Sequence, residues 1–311
     1  MLKPKNISPA VIISYLIVYI VWGATYFFIR MAVESMPPFY VVGIRFFCAG
    51  LIFLLIAIAT GRLKTIPTPH ELLTAFLMGF FLLFMGNGMV SVAEKSVESY
   101  LAALTIAATP FCVAFFNRII FKEKLSAVRL IGMTIGIIGV ALILYNGKNI
   151  LGSFTPGIIL VLIGLTSWSA ATSVGHKIHV HKDNLVNSGL QMAFAGATAL
   201  ILSQFIYEPI TQMAPQVSLR SWIGTAFLTI FGGAAFFCYS YLIKKEPSIR
   251  VVSYAIVNPL IAVALGILFG GEHAGSLLLV GLPLILAGLV FMLYGGEIVR
   301  RFSSRSLNPL P

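Results

Sequence analysis

Runs of about twenty residues without a charged side chain recur along this chain: 6 to 29, 72 to 93, 99 to 117, 149 to 176, 184 to 207, 221 to 243, 251 to 271 and, apart from His273, 273 to 296. A helix rising 1.5 Å per residue needs roughly 20 residues to cross a hydrocarbon layer of about 30 Å, so each run predicts a transmembrane helix. An 18-residue uncharged run at 130 to 147 adds a ninth, and 39 to 60, apolar apart from Arg45, a tenth. The predicted helices cover about 10 to 30, 39 to 60, 71 to 92, 98 to 121, 127 to 145, 156 to 178, 184 to 207, 219 to 242, 249 to 270 and 276 to 296. The fold class is an all-α polytopic membrane protein with no room for a soluble domain. A membrane β-barrel would need apolar and polar residues to alternate, and runs such as Ile12 to Ile20 and Ile135 to Leu144 do not alternate.

Composition excludes the other large classes. Charged residues make up 10% of the 311 positions, against roughly 25% in soluble domains, which argues against a soluble globule or a disordered chain. The net charge of +11 is not read as a nucleic-acid footprint, because apart from Arg45 the basic residues lie in loops and at helix ends. Cytoplasmic loops of membrane proteins are enriched in Lys and Arg. Sixteen of the 21 basic residues fall on the N-terminal side: Lys3, Lys5, Arg62, Lys64, Arg118, Lys122, Lys124, Arg129, Lys177, Lys182, Lys244, Lys245, Arg250, Arg300, Arg301 and Arg305. Only Arg30, Lys95, Lys148 and Arg220 fall on the other, and Arg45 lies within a helix. Both termini are therefore expected in the cytoplasm. Lys3 and Lys5 precede an apolar run too long for a signal peptide and without a small-residue cleavage site, so the first helix is expected to be retained. Cys48, Cys112 and Cys238 each fall inside a predicted helix without paired spacing and read as small apolar residues.

The chain also repeats itself. At an offset of 149, residues 99 to 147 match 248 to 296 at Ser99/Ser248, Pro110/Pro259, Glu123/Glu272, Leu130/Leu279, Gly132/Gly281, Gly139/Gly288, Leu144/Leu293, Tyr145/Tyr294 and Gly147/Gly296. At an offset of 146, Trp22/Trp168, Ala24/Ala170, Gly43/Gly189, Ala49/Ala195 and Gly50/Gly196 correspond. The expected units are 1–147 and 148–311, each of five helices. Five is odd, so the second unit crosses the bilayer in the opposite sense. Consistently, Arg118, Lys122, Lys124 and Arg129 align with Ile267, Gly271, His273 and Leu278. Inverted repeats are a recurring construction of alternating-access carriers.

The Trp22-Gly23 pair, Arg45, the series Pro110, Glu123, Gly132, Gly139 and its second copy from Pro259 to Gly288 resemble the EamA type of the drug/metabolite transporter superfamily over essentially the whole chain. The resemblance implies ten helices around a central cavity formed by both halves. It also implies a place in a bacterial inner membrane and, as in many relatives, export of amino acids or other small metabolites. The second copy departs from the pattern in Trp168-Ser169 and in Gln191 at the place of Arg45.

Individual residues carry two readings each. Trp222, near a helix start, fits an interfacial anchor, whereas Trp22 and Trp168 lie about twelve residues, or roughly 18 Å, into their helices. They are either packed core aromatics or the walls of a solute cavity, with Tyr26 and Thr172 on the same faces four residues on. Arg45, about 9 Å from a helix end, either snorkels to the interface or meets a solute carboxylate or a gating acid such as Glu94 or Glu98. Pro110 and Pro259 each remove a helical hydrogen bond and give packing bends or hinges. Asn87, between Gly86 and Gly88, and Asn258 can bond freed carbonyls or solute. Tyr100 and Tyr239 are further cavity candidates. Glu123 and Glu272 read as caps or gate contacts at helix ends. His176, His179 and His181 read as a solvated loop rather than a metal site.

These readings predict a secondary transporter that moves a small amphipathic metabolite, such as an amino acid, between two rocking halves, with a neutral or zwitterionic small molecule and the lipid bilayer as its partners. No cofactor, metal or nucleic acid is implied. All ten acidic residues sit at predicted helix ends or in loops, so no buried carboxylate relay is expected. An intramembrane enzyme would need a His-Glu-x-x-His, Gly-x-Ser-x-Gly or similar motif, and a channel would need a charged ring or filter sequence; the chain has neither.

Overall fold

The computed structural model describes residues 8–123, 126–145, 155–207, 209–273 and 275–306. The expected boundary at 147/148, and Lys3, Lys5, Lys124 and Lys148, lie outside them. Ten helices long and apolar enough to cross a membrane follow one another: α1 (Pro9–Val33), α2 (Pro38–Ala59), α3 (Pro69–Ala93), α4 (Ser99–Phe121), α5 (Ala127–Leu144), α6 (Pro156–Gly175), α7 (Asn184–Ile206), α8 (Leu219–Lys245), α9 (Ser248–Phe269) and α10 (Leu278–Gly295). Their starts are written locally. Side chains of Ser8, Thr68, Ser126, Thr155, Asp183 and Ser218 accept amide protons from the first turns of α1, α3, α5, α6, α7 and α8, the usual way to satisfy donors that have no helical partner.

Four spans are irregular in matched pairs. Helix α3 widens to a π-helical stretch at Gly79–Asn87 and α8 does the same at Leu228–Gly232, beginning at positions related by the offset of 149. Helix α4 breaks at Ala107 and Ala108, and α9 passes through a tight 3-10 stretch at Val252–Ile256. Each break lies just before Pro110 or Pro259, which occupies the first turn of the helix that resumes. Proline has no amide to give the preceding turn and clashes with its carbonyl. A proline inside α10, Pro283, is not matched in α5.

The two halves meet through equivalent helices running in opposite directions. In the α2/α7 pair, Gly43 faces Leu200, Gly50 faces Gly189 and Ala193, and Gly196 faces Phe47, so numbers rise on one helix as they fall on the other. The α5/α10 pair repeats this: a Cβ on Gly132 would lie 2.7 Å from the Gly288 carbonyl oxygen, and one on Gly139 would lie 2.8 Å from that of Gly281. Small residues permit this close backbone approach where no water drives association. Because α2 corresponds to α7 and α5 to α10, their antiparallel crossing makes the halves inverted repeats.

Large apolar side chains such as Leu55, Phe205, Leu268 and Leu279 remain on the outside, a surface suited to lipid. The loop after α6 leaves His179 exposed, as expected, and corrects the expectation for His181. His181 is buried, accepts the amide proton of Asp183 and receives Lys244 at its carbonyl, while His179 lies 3.6 Å from Glu71 at the start of α3.

Candidate functional site

Polar and aromatic side chains converge between the halves. From the middle of the bundle toward the face opposite the N terminus, a cavity of about 670 Å³, including the space at its mouth, lies between α1, α2, α3 and α4 of the first half and α6, α8 and α9 of the second. Its floor is aromatic. Trp22 and Trp168 meet edge to face with centroids 5.2 Å apart, Tyr254 lies edge-on to Trp22 at 5.1 Å, and Phe236 completes the surface. Offset and edge-on contacts suit the charge distribution of aromatic rings, and this array closes the cavity toward the N-terminal face.

One cation faces this apolar space. Arg45 is 3% exposed, so it does not snorkel to the interface. Its guanidinium donates to Asn87 Oδ1 at 3.2 Å and lies 4.3 Å from the centre of the Phe46 ring, while Nε has no partner. The π-helical register of α3 brings Asn87 to this wall, next to Gly86, where a Cβ would approach the Trp168 ring to 3.1 Å. One helical turn beyond Val90, which also lines the cavity, stands Glu94 at the end of α3.

Five of the residues singled out in the sequence, Trp22, Tyr26, Arg45, Asn87 and Trp168, line the cavity. Four others lie elsewhere, each for a geometric reason. Tyr100 is in the first turn of α4, where its amide donates to Glu272 and its hydroxyl to the His273 carbonyl oxygen. Thr172 and Tyr239 bond one another through their hydroxyls at 2.5 Å beneath the aromatic floor, both with no exposed surface. Tyr239 instead borders a smaller pocket of about 270 Å³ nearer the N-terminal face, with Asn187, Gln191 and Lys244. Asn258, with its amide oriented to donate, reaches the carbonyls of Tyr19 at 2.9 Å and Tyr254 at 3.2 Å, holding the break in α9. Thr172 has the same spacing from Trp168 as Tyr26 has from Trp22, but its face of α6 is occupied by Tyr239.

Sequence reasoning missed Thr25, Phe46, Gly164, Gly232, Phe236 and Tyr254 in the cavity wall. The repeat offset makes Gly232 the counterpart of Leu83, also in the wall, but nothing in the sequence marks either residue. The acidic residues do lie at helix ends or in loops, but that placement does not keep all of them in water. Glu71, Glu94 and Glu272 are all buried, because each helix end on which they sit is covered by the opposite half or by a loop. Burial holds the Glu94 carboxyl well above the usual carboxylate range, with Glu272 adding to the shift and Arg30 and Arg45 opposing it.

Comparison with known proteins follows the same division. A profile of the EamA-like transporter family matches residues 9–145 and again 155–294. The chain belongs to the EamA-like transporter family. This EamA-like transporter is 36% identical over 279 residues to the "uncharacterized inner membrane transporter YedA" of Escherichia coli (strain K12), covering 89% of this chain and 88% of the relative. It is 26% identical over 299 residues to a "probable amino-acid metabolite efflux pump" of Salmonella typhimurium, covering 92% and 95%. A crystallographically solved protein superimposes with a TM-score of 0.70 over 94% of this EamA-like transporter and 98% of its own chain, at 17% identity, a likeness of fold alone. The protein is an integral membrane transporter and not an enzyme.

Proposed function

We propose that this transporter exports a small amphipathic, neutral or zwitterionic metabolite, such as an amino acid, across the bacterial inner membrane by alternating access. The observation that carries this reading is the cavity itself: a mid-span space shared by both inverted halves, with an aromatic floor and a single guanidinium on its wall. A solute carboxylate would pair with Arg45 and complete the bonding that its Nε lacks. The apolar part of the solute would lie on Trp22 and Trp168. Phosphorylated cargo would call for more cations than the one present. The name of the Salmonella relative supports amino-acid cargo and outward movement, and that of YedA supports the inner membrane. Units 1–147 and 148–311 would rock about the antiparallel α2/α7 and α5/α10 pairs.

Purified protein in proteoliposomes is expected to catalyse saturable counterflow of radiolabelled amino acids. Linear, unsaturable flux would overturn the carrier reading. Single cysteines at Lys122 and His273, in a background without the three native cysteines, should be labelled from opposite sides of the membrane, position 122 from the cytoplasm. Labelling from one side would overturn the inverted arrangement.

A further inference from the structure

Glu94 occupies a position that nothing in the transport reading uses. Its residue has no exposed surface, and neither carboxylate oxygen has a hydrogen-bond partner. None of the ion pairs among the described residues includes it. The charged and titratable groups facing it come from three directions. Arg30 of α1 donates to the Glu94 and Val97 carbonyl oxygens at 2.5 and 2.9 Å, so its nearest bonds go to the backbone and not to the carboxylate. Tyr26 lies on the same helix and lines the cavity, and Arg45 of α2 faces it from the cavity wall. Glu272, between α9 and α10, adds like charge. Helix α6, which covers the remaining side, carries no ionisable side chain.

An ionised carboxylate in such a place would be buried with its lone pairs unmet, and desolvation of this kind strongly favours the neutral acid. The same position in the second half is Ile243, so the group is a single feature of one half and not part of the repeat. It stands one turn from Val90 on the cavity wall, and the charge of Arg45 on that same wall already acts on it.

We propose that Glu94 is the binding site of a counter-transported proton. The empty carrier holds a proton on a Glu94 carboxylate oxygen. When a zwitterionic solute enters, its ammonium group raises the local positive potential and the proton leaves to water, giving the ionised carboxylate as the counter-charge. Proton and solute then exclude one another, and outward movement of the solute is linked to inward movement of the proton. This inference rests on the amino-acid reading for its solute, but its first test does not.

Infrared spectroscopy of the purified protein at pH 7 is expected to show the carbonyl stretch of a protonated buried carboxyl. The band should be absent in Glu94→Gln and retained in Glu94→Asp. Its absence from the unmodified protein, or its persistence in Glu94→Gln, would overturn the proposal. Next, a mixture of the twenty common amino acids is added to weakly buffered protein: a pH electrode should register proton release from the unmodified protein and none from Glu94→Gln. Proton uptake, or release unaffected by the variant, would overturn the coupling. In proteoliposomes, exchange of the same mixture should change at least about fivefold between pH 5.5 and pH 8, the lower range of linked binding equilibria, and the response should flatten in Glu94→Gln. If the protein neither binds nor exchanges any amino acid, the substrate reading falls, while the infrared band still decides whether Glu94 holds a proton.

Discussion

At the end of α4 the chain turns through Lys122, with φ of 56°, into Glu123; at the end of α9 it turns through Gly271, with φ of 64°, into Glu272. The same backbone is used twice, yet the two carboxylates meet different partners. Glu272 accepts the amide protons of Ser99 and Tyr100 at 2.7 and 3.2 Å, capping α4 from across the interface between the halves. Glu123 instead receives the Asn117 side chain at 3.3 Å, and it is Asn117 that reaches Ser248, the counterpart of Ser99, at 3.2 Å. One residue separates the two arrangements. The counterpart of Asn117 is Gly266, where a Cβ would collide with Glu272 Oε2. Without a side chain at 266 the carboxylate docks on the helix end; at the other site the Asn117 amide stands between Glu123 and Ser248. The cavity repeats the lesson: Arg45 lines it, whereas its counterpart Gln191 bonds Asn187 beside the smaller pocket. A duplicated fold thus carries unduplicated chemistry.

The largest expected effect comes from the pair Arg45 and Gln191. Arg45→Ala should weaken apparent solute affinity by about 30-fold or more, as losing a buried charged bond does, whereas Gln191→Ala should change it less than about threefold; concentration dependence of counterflow separates them. Equal losses would erase the distinction between the two halves. Next, Gly266→Asn should expel Glu272 from the end of α4 and lower stability by roughly 3 kcal/mol, the scale of two bonds to a charged acceptor, seen as a reduced unfolding midpoint in detergent. The reciprocal Asn117→Gly should let Glu123 approach Ser248 and cost less. Smaller still, Glu272→Gln should destabilise by about 1 to 2 kcal/mol, and Glu123→Gln, whose partner is a side chain free to readjust, by less than about 1 kcal/mol. If the two glutamine variants proved equal, the asymmetry of the two ends would have no energetic content.

Much of the architecture was legible because the bilayer imposes one-dimensional rules. Length without charge marks a span, and the ten spans fall within a few residues of those expected, although the last helix continues past its span to Ser306. Legibility declined toward the cavity. Trp22 and Trp168 stood out by depth alone, and Arg45 and Asn87 by being polar within apolar runs. Tyr100, Thr172, Tyr239 and Asn258 met the same criteria and lie outside the cavity wall, since polarity and depth do not say which neighbour already holds a hydroxyl or an amide. Tyr254 and Phe236 carried no such mark, although the array they complete forms the floor. The burial of Glu94 was hidden for the same reason: a helix end reads as wet unless one knows what covers it.

Sequence alone determined the number of spans, their duplication and, through the odd count of five, their inversion, because a chain in lipid must satisfy its backbone within each helix and leave its charges outside. The tertiary structure decided which faces of those helices meet. Facing sets the cavity wall, the docking of Glu272 beside Gly266 and the isolation of Glu94. Each depends on a neighbour distant in the chain or on the space a missing Cβ leaves, and no local pattern encodes either.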